Sequence, residues 1–376
     1  MEGLVTATEY ETLFGGVYAG RRIFVTGHTG FKGSWLTYWL LALGAEVTGY
    51  ALEPPTDPNL FEALGLADRM AHQVADVRDL VRLREVMTAA RPEIVLHLAA
   101  QPLVRLSYEE PVATFGTNVM GTVNILESVR ATPSVRAVVN VTSDKCYENR
   151  EWEFAYREND PMGGFDPYSA SKGCSELVTA AYRQSFFGAQ SPVAVATARA
   201  GNVIGGGDWA PDRIVPDCVR ALAGGQSIVV RNADAVRPWQ HVLESLSGYL
   251  WLAGRMLQDG HTFDGAWNFG PAPDGKLTVR DVVDAVVAEW GEGSWNGPEP
   301  GGKGPHEARF LKLDCSKAAD ELDWRPTLDA NSALRSTVRW YRAFCRGDAG
   351  AENLTAECLA EYMMAARQCN VAWARP

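Results

Sequence analysis

The 376-residue chain has no Lys/Arg-rich block: 35 basic residues face 46 acidic ones, for a net charge of −11 and a pI near 5.1. Without a basic surface there is little to attract a nucleic acid or an anionic membrane. A small anionic substrate has to be held by a local cluster of arginines working against the overall field. The seven cysteines (Cys146, Cys174, Cys218, Cys315, Cys345, Cys358, Cys369) are odd in number and show no CxxC spacing. That argues against a disulfide framework and against a zinc or other metal site, and for reduced thiols. Long apolar runs are missing too. The most apolar helix candidate, SWLTYWLLALGA, falls short of the ~20 residues that a membrane span needs. The N-terminal MEGLVTATEYETLF is acidic and lacks the apolar core of a secretory signal. Repeats and low-complexity tracts are absent. The expectation is a cytoplasmic protein with no nucleic-acid or membrane partner. With 46% hydrophobic and 22% charged residues it has the composition of a globular protein, and it is long enough for two moderate domains.

What is present is a rhythm of short β-branched runs and longer helical stretches. RRIFVT (21–26), AEVTGY (45–50), HQVADV (72–77), EIVLHLA (93–99), VRAVVNVT (135–142) and PVAVATARA (192–200) read as strands. Several lack in/out alternation, as strands covered on both faces do. Helical stretches between them give βαβ units, and so an α/β fold with a doubly wound, Rossmann-type parallel sheet. Beyond residue 200, Gly, Pro, Asp and Trp become frequent. Residues 1–200 are expected to form the dinucleotide-binding domain, with a segment near 235–265 returning to it. Residues 201–234 and 266–345 are expected to form a smaller α+β substrate domain, and 346–376 a helical tail with no motif.

RRIFVTGHTGFKGSWL is a strand, a glycine-rich turn and a helix start. Gly27, Gly30 and Gly33 let the turn tighten, admit a pyrophosphate to backbone N–H groups and let helix and sheet approach. A glycine triplet alone is usually just a turn; at the first βα junction it favours a dinucleotide. His28, Phe31 and Lys32 join it as cofactor contacts, His28 and Lys32 by helping to hold phosphate. One piece is missing. Tyr50 and Ala51 stand where a carboxylate usually receives the adenosine ribose, with Glu53 the nearest acid, which predicts loose cofactor binding. Asp76 and Val77 would frame the adenine, and Ala99, Ala100 and Gln101 in LHLAAQ would form a surface for the cofactor to lie on.

DPYSASKGCSELV places Tyr168 and Lys172 four residues apart, one above the other on a helix. An ammonium beside a phenol favours phenolate, and such a tyrosine exchanges a proton with a sugar hydroxyl. Two surface residues would be the bland reading; the position after the fifth strand, preceded by a TSD loop, favours catalysis. Ser143 would bond the same substrate oxygen. Asp144 and Lys145 follow it directly, an acid and a base that in a straight strand point to opposite faces. For both to reach one substrate, residues 143–147 must turn. In a closed site, burial narrows the gap between their ion pair and the neutral tautomer, which leaves both groups reactive.

These residues carry a resemblance. VTGHTGFKGSWL, HLAAQPLVRLSYEEPVATFGTNVMGTVNILES, VTSDKCYENREW, DPYSASKGCSELV, RAGNVIGGGDWAPDRIVPD, VRPWQHVLE and FLKLDCSKA resemble the extended short-chain dehydrogenase/reductases. Within that family the chain is similar to the CDP-glucose 4,6-dehydratases, over about residues 15–330. The resemblance implies an internal redox cycle with NAD: oxidation at C4 with Tyr168 taking the proton, loss of water across C5 and C6, and return of hydride to C6. Asp144 matches the acid that protonates the leaving hydroxyl. Lys145 replaces the Glu of the dTDP-sugar enzymes, which leaves the C5 base to Lys145, its neighbourhood, Tyr147 or a water. Arg237 and Asn202 match substrate-diphosphate contacts, with Arg213 and Arg231 as weaker candidates whose forked guanidinium suits phosphate. Trp209 and Trp239 could flank the sugar or the base, though core packing is at least as good a reading. His97 and His241 read as structural. The resemblance also implies CDP-glucose as substrate and a homodimer formed through helices starting near 111 and 167. The competing readings are a nucleotide-sugar 4-epimerase or reductase, which needs no acid at 144, and an inactive NAD-binding regulator.

Overall fold

The structure, a computed structural model, describes residues 10–272, 277–297 and 311–375. The β-branched runs form one parallel sheet of β1 (Arg22–Thr26), β2 (Glu46–Ala51), β3 (Ala71–Val74), β4 (Ile94–His97), β5 (Ala137–Val141), β6 (Ala194–Ala200) and β7 (Gly265–Phe269). Their order is β7-β6-β5-β4-β1-β2-β3. After β1 the chain winds outward through β2 and β3, then returns to place β4 on the other side of β1, in register Ile23↔Ile94 to Thr26↔His97. The carboxyl ends of β1 and β4 therefore open a crevice at the switch point, where such sheets bind ligands.

The helices include α1 (Phe31–Ala42), α2 (Leu80–Ala90), α3 (Val104–Glu109), α4 (Pro111–Phe115), α5 (Gly121–Arg130), α6 (Pro167–Phe186), α7 (Ile214–Ala223), α8 (Val242–Asp259), α9 (Val279–Trp290), α10 (Ala330–Arg346) and α11 (Ala351–Gln368). Successive strand residues serve opposite faces. Ile23 and Val25 pack with Trp35, Leu36 and Trp39 of α1 and Leu246 and Leu250 of α8. Phe24, between them, packs with Leu83 and Met87 of α2 and Ile125 and Val129 of α5. Both faces are covered along β4, β5 and β6, which accounts for their lack of in/out alternation, while the edge strand β3 stays partly exposed.

Three boundaries differ from the sequence-based expectation. β3 stops at Val74 instead of Val77, because Asp76 and Arg78 form a turn: the Arg78 N–H and guanidinium both donate to the Asp76 carboxylate. The return into the main domain runs past 265, since Gly265–Phe269 is the seventh strand, paired from Gly265↔Ala196 to Phe269↔Ala200. Five residues beside a Gly/Pro-rich loop gave that strand no periodicity to read. The tail at 346–376 completes the core. Trp373 stacks on Phe14 (5.1 Å) and on Tyr362 of α11 (5.6 Å), and its edge meets Trp39 of α1 (5.7 Å). The helix α1 is apolar all round because the sheet covers one side of it and this aromatic layer the other. Among the described residues no helix is long and apolar enough to cross a membrane.

Among the remaining described residues, α7 packs against α9. Two-residue strands pair Ile228–Val229 with Trp295–Asn296 and Val236–Arg237 with Leu277–Thr278.

Candidate active site

The glycine loop is a backbone cradle. At Gly27 (φ 72°) a Cβ would lie 2.7 Å from the Ala99 nitrogen, and at Gly33 it would lie 2.1 Å from the Gly27 oxygen. No side chain fits at either place. Gly30 caps α1 without a side-chain bond, so the first N–H groups of a 12-residue helix are left open to an anion. The loop fits a dinucleotide pyrophosphate.

Several expected cofactor contacts are used otherwise. The His28 ring is fully buried: its Nε2 meets His72 Nδ1 at 2.7 Å and it packs on Phe61. Burial first, and then His72, pull its pKa down to about 3. This neutral ring supports the loop from beneath, and its side chain is not a phosphate ligand. Lys32 points its amine at the Tyr249 hydroxyl of α8 (3.3 Å). Burial, then Arg213 and Lys172, lower that amine to about 7, with Asp144 opposing. The charges acting on Lys32 are thus those of the reacting end of the crevice. Phe31 lies over Gly205, whose Cβ would be 3.1 Å from its ring. Tyr50, in place of the ribose carboxylate, is buried and donates its hydroxyl to the Asp76 carbonyl (3.0 Å). The Asp76 carboxylate is held below its usual range, chiefly by its bond from Arg78. Val77 is buried under Gly121. The Gln101 amide is engaged with Leu103 and Thr114, which leaves half-buried Ala99 and Ala100 as the open strand end. Glu53 stands on the rim of a cavity of about 430 Å³ with Asp57, Asn59 and Glu62.

Past β5 the chain turns as the chemistry requires. Asp144–Cys146 is a single 3-10 turn capped by Ser143, whose Oγ accepts the Lys145 N–H (3.2 Å) and donates to Asp144 Oδ1 (3.0 Å). Three residues per turn set neighbours about 120° apart rather than on opposite faces. Asp144 is 3% exposed, and its Oδ2 has no hydrogen-bond partner. That oxygen is 3.0 Å from where a Cβ on Gly201 would stand, so glycine leaves it room. Lys145 is half-buried, and no ion pair joins it to Asp144.

Asp166 caps α6 through the Ser169 N–H (2.9 Å), and Pro167 occupies the first helical position; both are strong start signals. Tyr168 follows at once, its N–H donating to Ser107 of α3 (3.1 Å). Its phenol is pushed up to about 12, first by burial; a hydrogen bond to Ser143 pulls it back, Asp144 raises it and Arg213 lowers it. Lys172, buried one turn on, donates to the Val141 carbonyl (3.2 Å). Burial brings its amine down to about 8 against the opposing pull of Glu176 and Cys146. Arg213, expected at the substrate diphosphate, holds its guanidinium 2.7 Å from buried Asp208. Tyr147 is not an available base: its hydroxyl donates to Asn268 (2.7 Å), receives Arg199 (2.7 Å), and burial raises its pKa.

Arg231 is exposed and tied to Asp212 (2.7 Å), which also receives Arg105 of α3 (3.2 Å). Arg237 is half-buried, and three residues on, the Gln240 N–H donates to the Asn202 carbonyl. Trp239 lies in the core and Trp209 packs on Tyr341 and Phe344, so both are packing residues. His97 (to Thr26, 2.7 Å) and His241 (capping α8) are buried and structural, as expected. Sequence reasoning missed Tyr249, Arg105 and Asn118. A π-turn at Gly116–Met120 carries Asn118, which bonds the Gln101 backbone and Ser171. π-Turns inside helices favour functional sites, but nothing in the local sequence marks one.

A glycine cradle at the switch point, with Ser143, Tyr168 and Lys172 at the end of β5, defines an extended short-chain dehydrogenase/reductase. The chain belongs to the GDP-mannose 4,6 dehydratase family, whose model matches residues 24–337. It is 53% identical to a CDP-glucose 4,6-dehydratase of Salmonella typhimurium over 336 residues, 88% of this chain and 93% of that protein. It is 29% identical to a dTDP-glucose 4,6-dehydratase of Streptomyces antibioticus, over 85% of this chain and 92% of that one. The dTDP-glucose 4,6-dehydratase of Streptomyces venezuelae, solved with NAD, superposes with a TM-score of 0.72 at 26% identity, covering 89% of this chain and 99% of that one. A UDP-glucose 4-epimerase of Stenotrophomonas maltophila shares the fold (TM-score 0.75, 23% identity, 87% of this chain and 99% of that one).

Proposed function

We propose that the protein is a hydro-lyase that uses NAD catalytically to convert CDP-glucose to CDP-4-keto-6-deoxyglucose. The observation that carries this reading is Asp144, a buried carboxyl beside Tyr168 with one oxygen held by Ser143 and the other unpartnered. An epimerase needs no such acid. When bound, the cofactor supplies a hydride acceptor for C4 and a donor for C6. Tyr168 removes the C4 hydroxyl proton, and Ser143 and Arg213 favour its anion. Asp144 protonates the departing C6 hydroxyl through its open oxygen. Lys145, on the same turn, is the candidate base at C5. The substrate domain expected from 201–234 and 266–345 would hold the nucleotide together with Arg237 of the returning segment, with Arg237 and Asn202 at the diphosphate and Arg231 and Arg105 at the rim.

Two further assignments belong to the same reading. Val112, Phe115 and Met120 between 111 and 120, with Leu177 on α6, are exposed apolar side chains, which fits a homodimer formed through these helices. All seven cysteines are free thiols, which fits the cytoplasm.

Incubation with NAD and CDP-, dTDP-, GDP- or UDP-glucose in deuterated water tests the function. The expected outcome is a 4-keto-6-deoxy product from CDP-glucose carrying deuterium at C5. A C4-inverted product that keeps its C5 hydrogen would make the protein an epimerase.

A further inference from the structure

A buried ion pair outside the reacting groups grips the catalytic turn at both ends. Glu176 on α6 and Arg199 on β6 have side chains 4% and 3% exposed, with Arg199 Nη2 2.8 Å from Glu176 Oε2 and Nε 2.9 Å from Oε1. Each oxygen of Glu176 also receives a hydroxyl: Thr142, which directly precedes Ser143, and Thr197 (2.7 Å). The remaining guanidinium nitrogen, Nη1, donates to the Tyr147 hydroxyl (2.7 Å) and the Glu158 carbonyl (3.0 Å). Tyr147 in turn donates to Asn268 of β7, whose amide holds the carbonyls of Tyr156 and Asp314. Thr142 and Tyr147 bracket the residues Ser143–Cys146, so one pair fixes where that turn begins and where it ends. Glu176 also lies four residues beyond Lys172 and eight beyond Tyr168, on the same face of α6. The helix carrying the proton acceptor and the turn carrying the acid are thereby tied to one anchor.

Stability alone does not account for such a pair, because a buried ion pair replaced by well-packed apolar side chains typically leaves a protein as stable or more so. Its satisfied, directional bonds instead fix a geometry.

We propose that Glu176 and Arg199 are positioning residues for the elimination step, holding the Asp144–Lys145 turn in register with Tyr168. This rests on the dehydratase reading. The first hydride transfer depends chiefly on Tyr168 and Lys172, which α6 positions, with Ser143 assisting from the start of the turn. Elimination depends on the turn, whose two ends the pair holds through side chains.

The test separates the two steps in a single turnover of the NAD-loaded enzyme with CDP-glucose. Absorbance of NADH reports oxidation and the quenched 4-keto-6-deoxy product reports elimination. Thr142→Val deletes the hydroxyl at one end without changing the side chain's shape, Thr142→Ser keeps it, and Arg199→Lys loosens the other end. Thr142→Val and Arg199→Lys are expected to form NADH within about threefold of the wild-type rate while eliminating at least tenfold more slowly. Thr142→Ser is expected to restore elimination. Equal falls in both steps, or no fall in either, would overturn the proposal. If the wild-type enzyme forms no NADH with CDP-glucose, the substrate reading fails instead, and the same comparison is run on whichever nucleotide sugar the panel identifies.

Discussion

Glu176 and Glu244 are both buried carboxylates on long helices flanking the same sheet, and they are held in opposite ways. Burial alone would raise Glu176, but Arg199 and the Thr142 and Thr197 hydroxyls hold it below the usual carboxylate range. Glu244, on α8, accepts the Thr327 and Leu328 N–H groups (3.0 and 2.6 Å) and the Tyr362 hydroxyl (3.0 Å). Among the described residues no cation is paired with it, and burial pushes it up to about 7 although these bonds oppose the rise. The first carboxylate stands beside the catalytic turn with its charge fixed. The second fastens the C-terminal layer to the main domain and exchanges its proton near neutrality. Burial penalises charge in both places, and a single guanidinium decides the outcome. Asp144 is a third case: one oxygen is satisfied by a serine and the other is left open, which suits a group whose task is to give a proton away.

The comparison can be broken at each carboxylate. The largest effect is expected at Asp144. Asp144→Asn keeps the shape but removes the acid, and turnover should fall by about 10²–10⁴-fold, the usual worth of general acid–base catalysis. Lys145→Ala, on the same turn, should form NADH in a single turnover but eliminate far more slowly. Near wild-type turnover of the alanine variant would remove Lys145 as the C5 base. Next comes Arg199→Met, which leaves Glu176 buried without its cation and should cost about 3–5 kcal/mol in urea unfolding. A loss below about 1 kcal/mol would mean that Glu176 takes up a proton as readily as Glu244 and that the contrast is false.

The smallest effect, and the most specific, is at Glu244. Its folded pKa of about 7 lies above its unfolded value near 4.5, so between these pH values the native state binds the extra proton. The stability it contributes is complete below about pH 4.5 and declines as pH rises through 7, by up to about 3 kcal/mol. Glu244→Gln should remove that slope, so the wild-type and variant melting temperatures should converge or cross between pH 5 and 8. Parallel curves would show that Glu244 remains ionised like Glu176.

Much of the site could be read from the chain because its parts are local. Gly27 and Gly33 sit within one turn whose backbone tolerates nothing larger, and Tyr168 and Lys172 are linked by helical spacing. Six of the seven strands show themselves as apolar runs. The cofactor side chains were less legible. His28, Lys32 and Gln101 lie in the right motifs, yet a motif does not say which way a side chain turns, and each found a partner elsewhere. Tyr50 shows the same limit: the sequence shows a missing carboxylate, while the structure shows the hydroxyl in its place bracing the Asp76 turn.

The amino-acid sequence by itself determined the parallel sheet, the glycine cradle, the tyrosine–lysine helix and the presence of an acid after β5. Each depends on residues within a few positions of one another, where propensity and period act directly. Only the tertiary structure decided that Asp144 and Lys145 form no ion pair, that Arg213 is tied to Asp208, that Tyr147 is committed to Arg199, and that Glu176 and Glu244 carry different charge. Those outcomes depend on residues up to 121 positions apart, as Tyr147 and Asn268 are. They rest on desolvation and charge pairing, which exist only once the chain has excluded water.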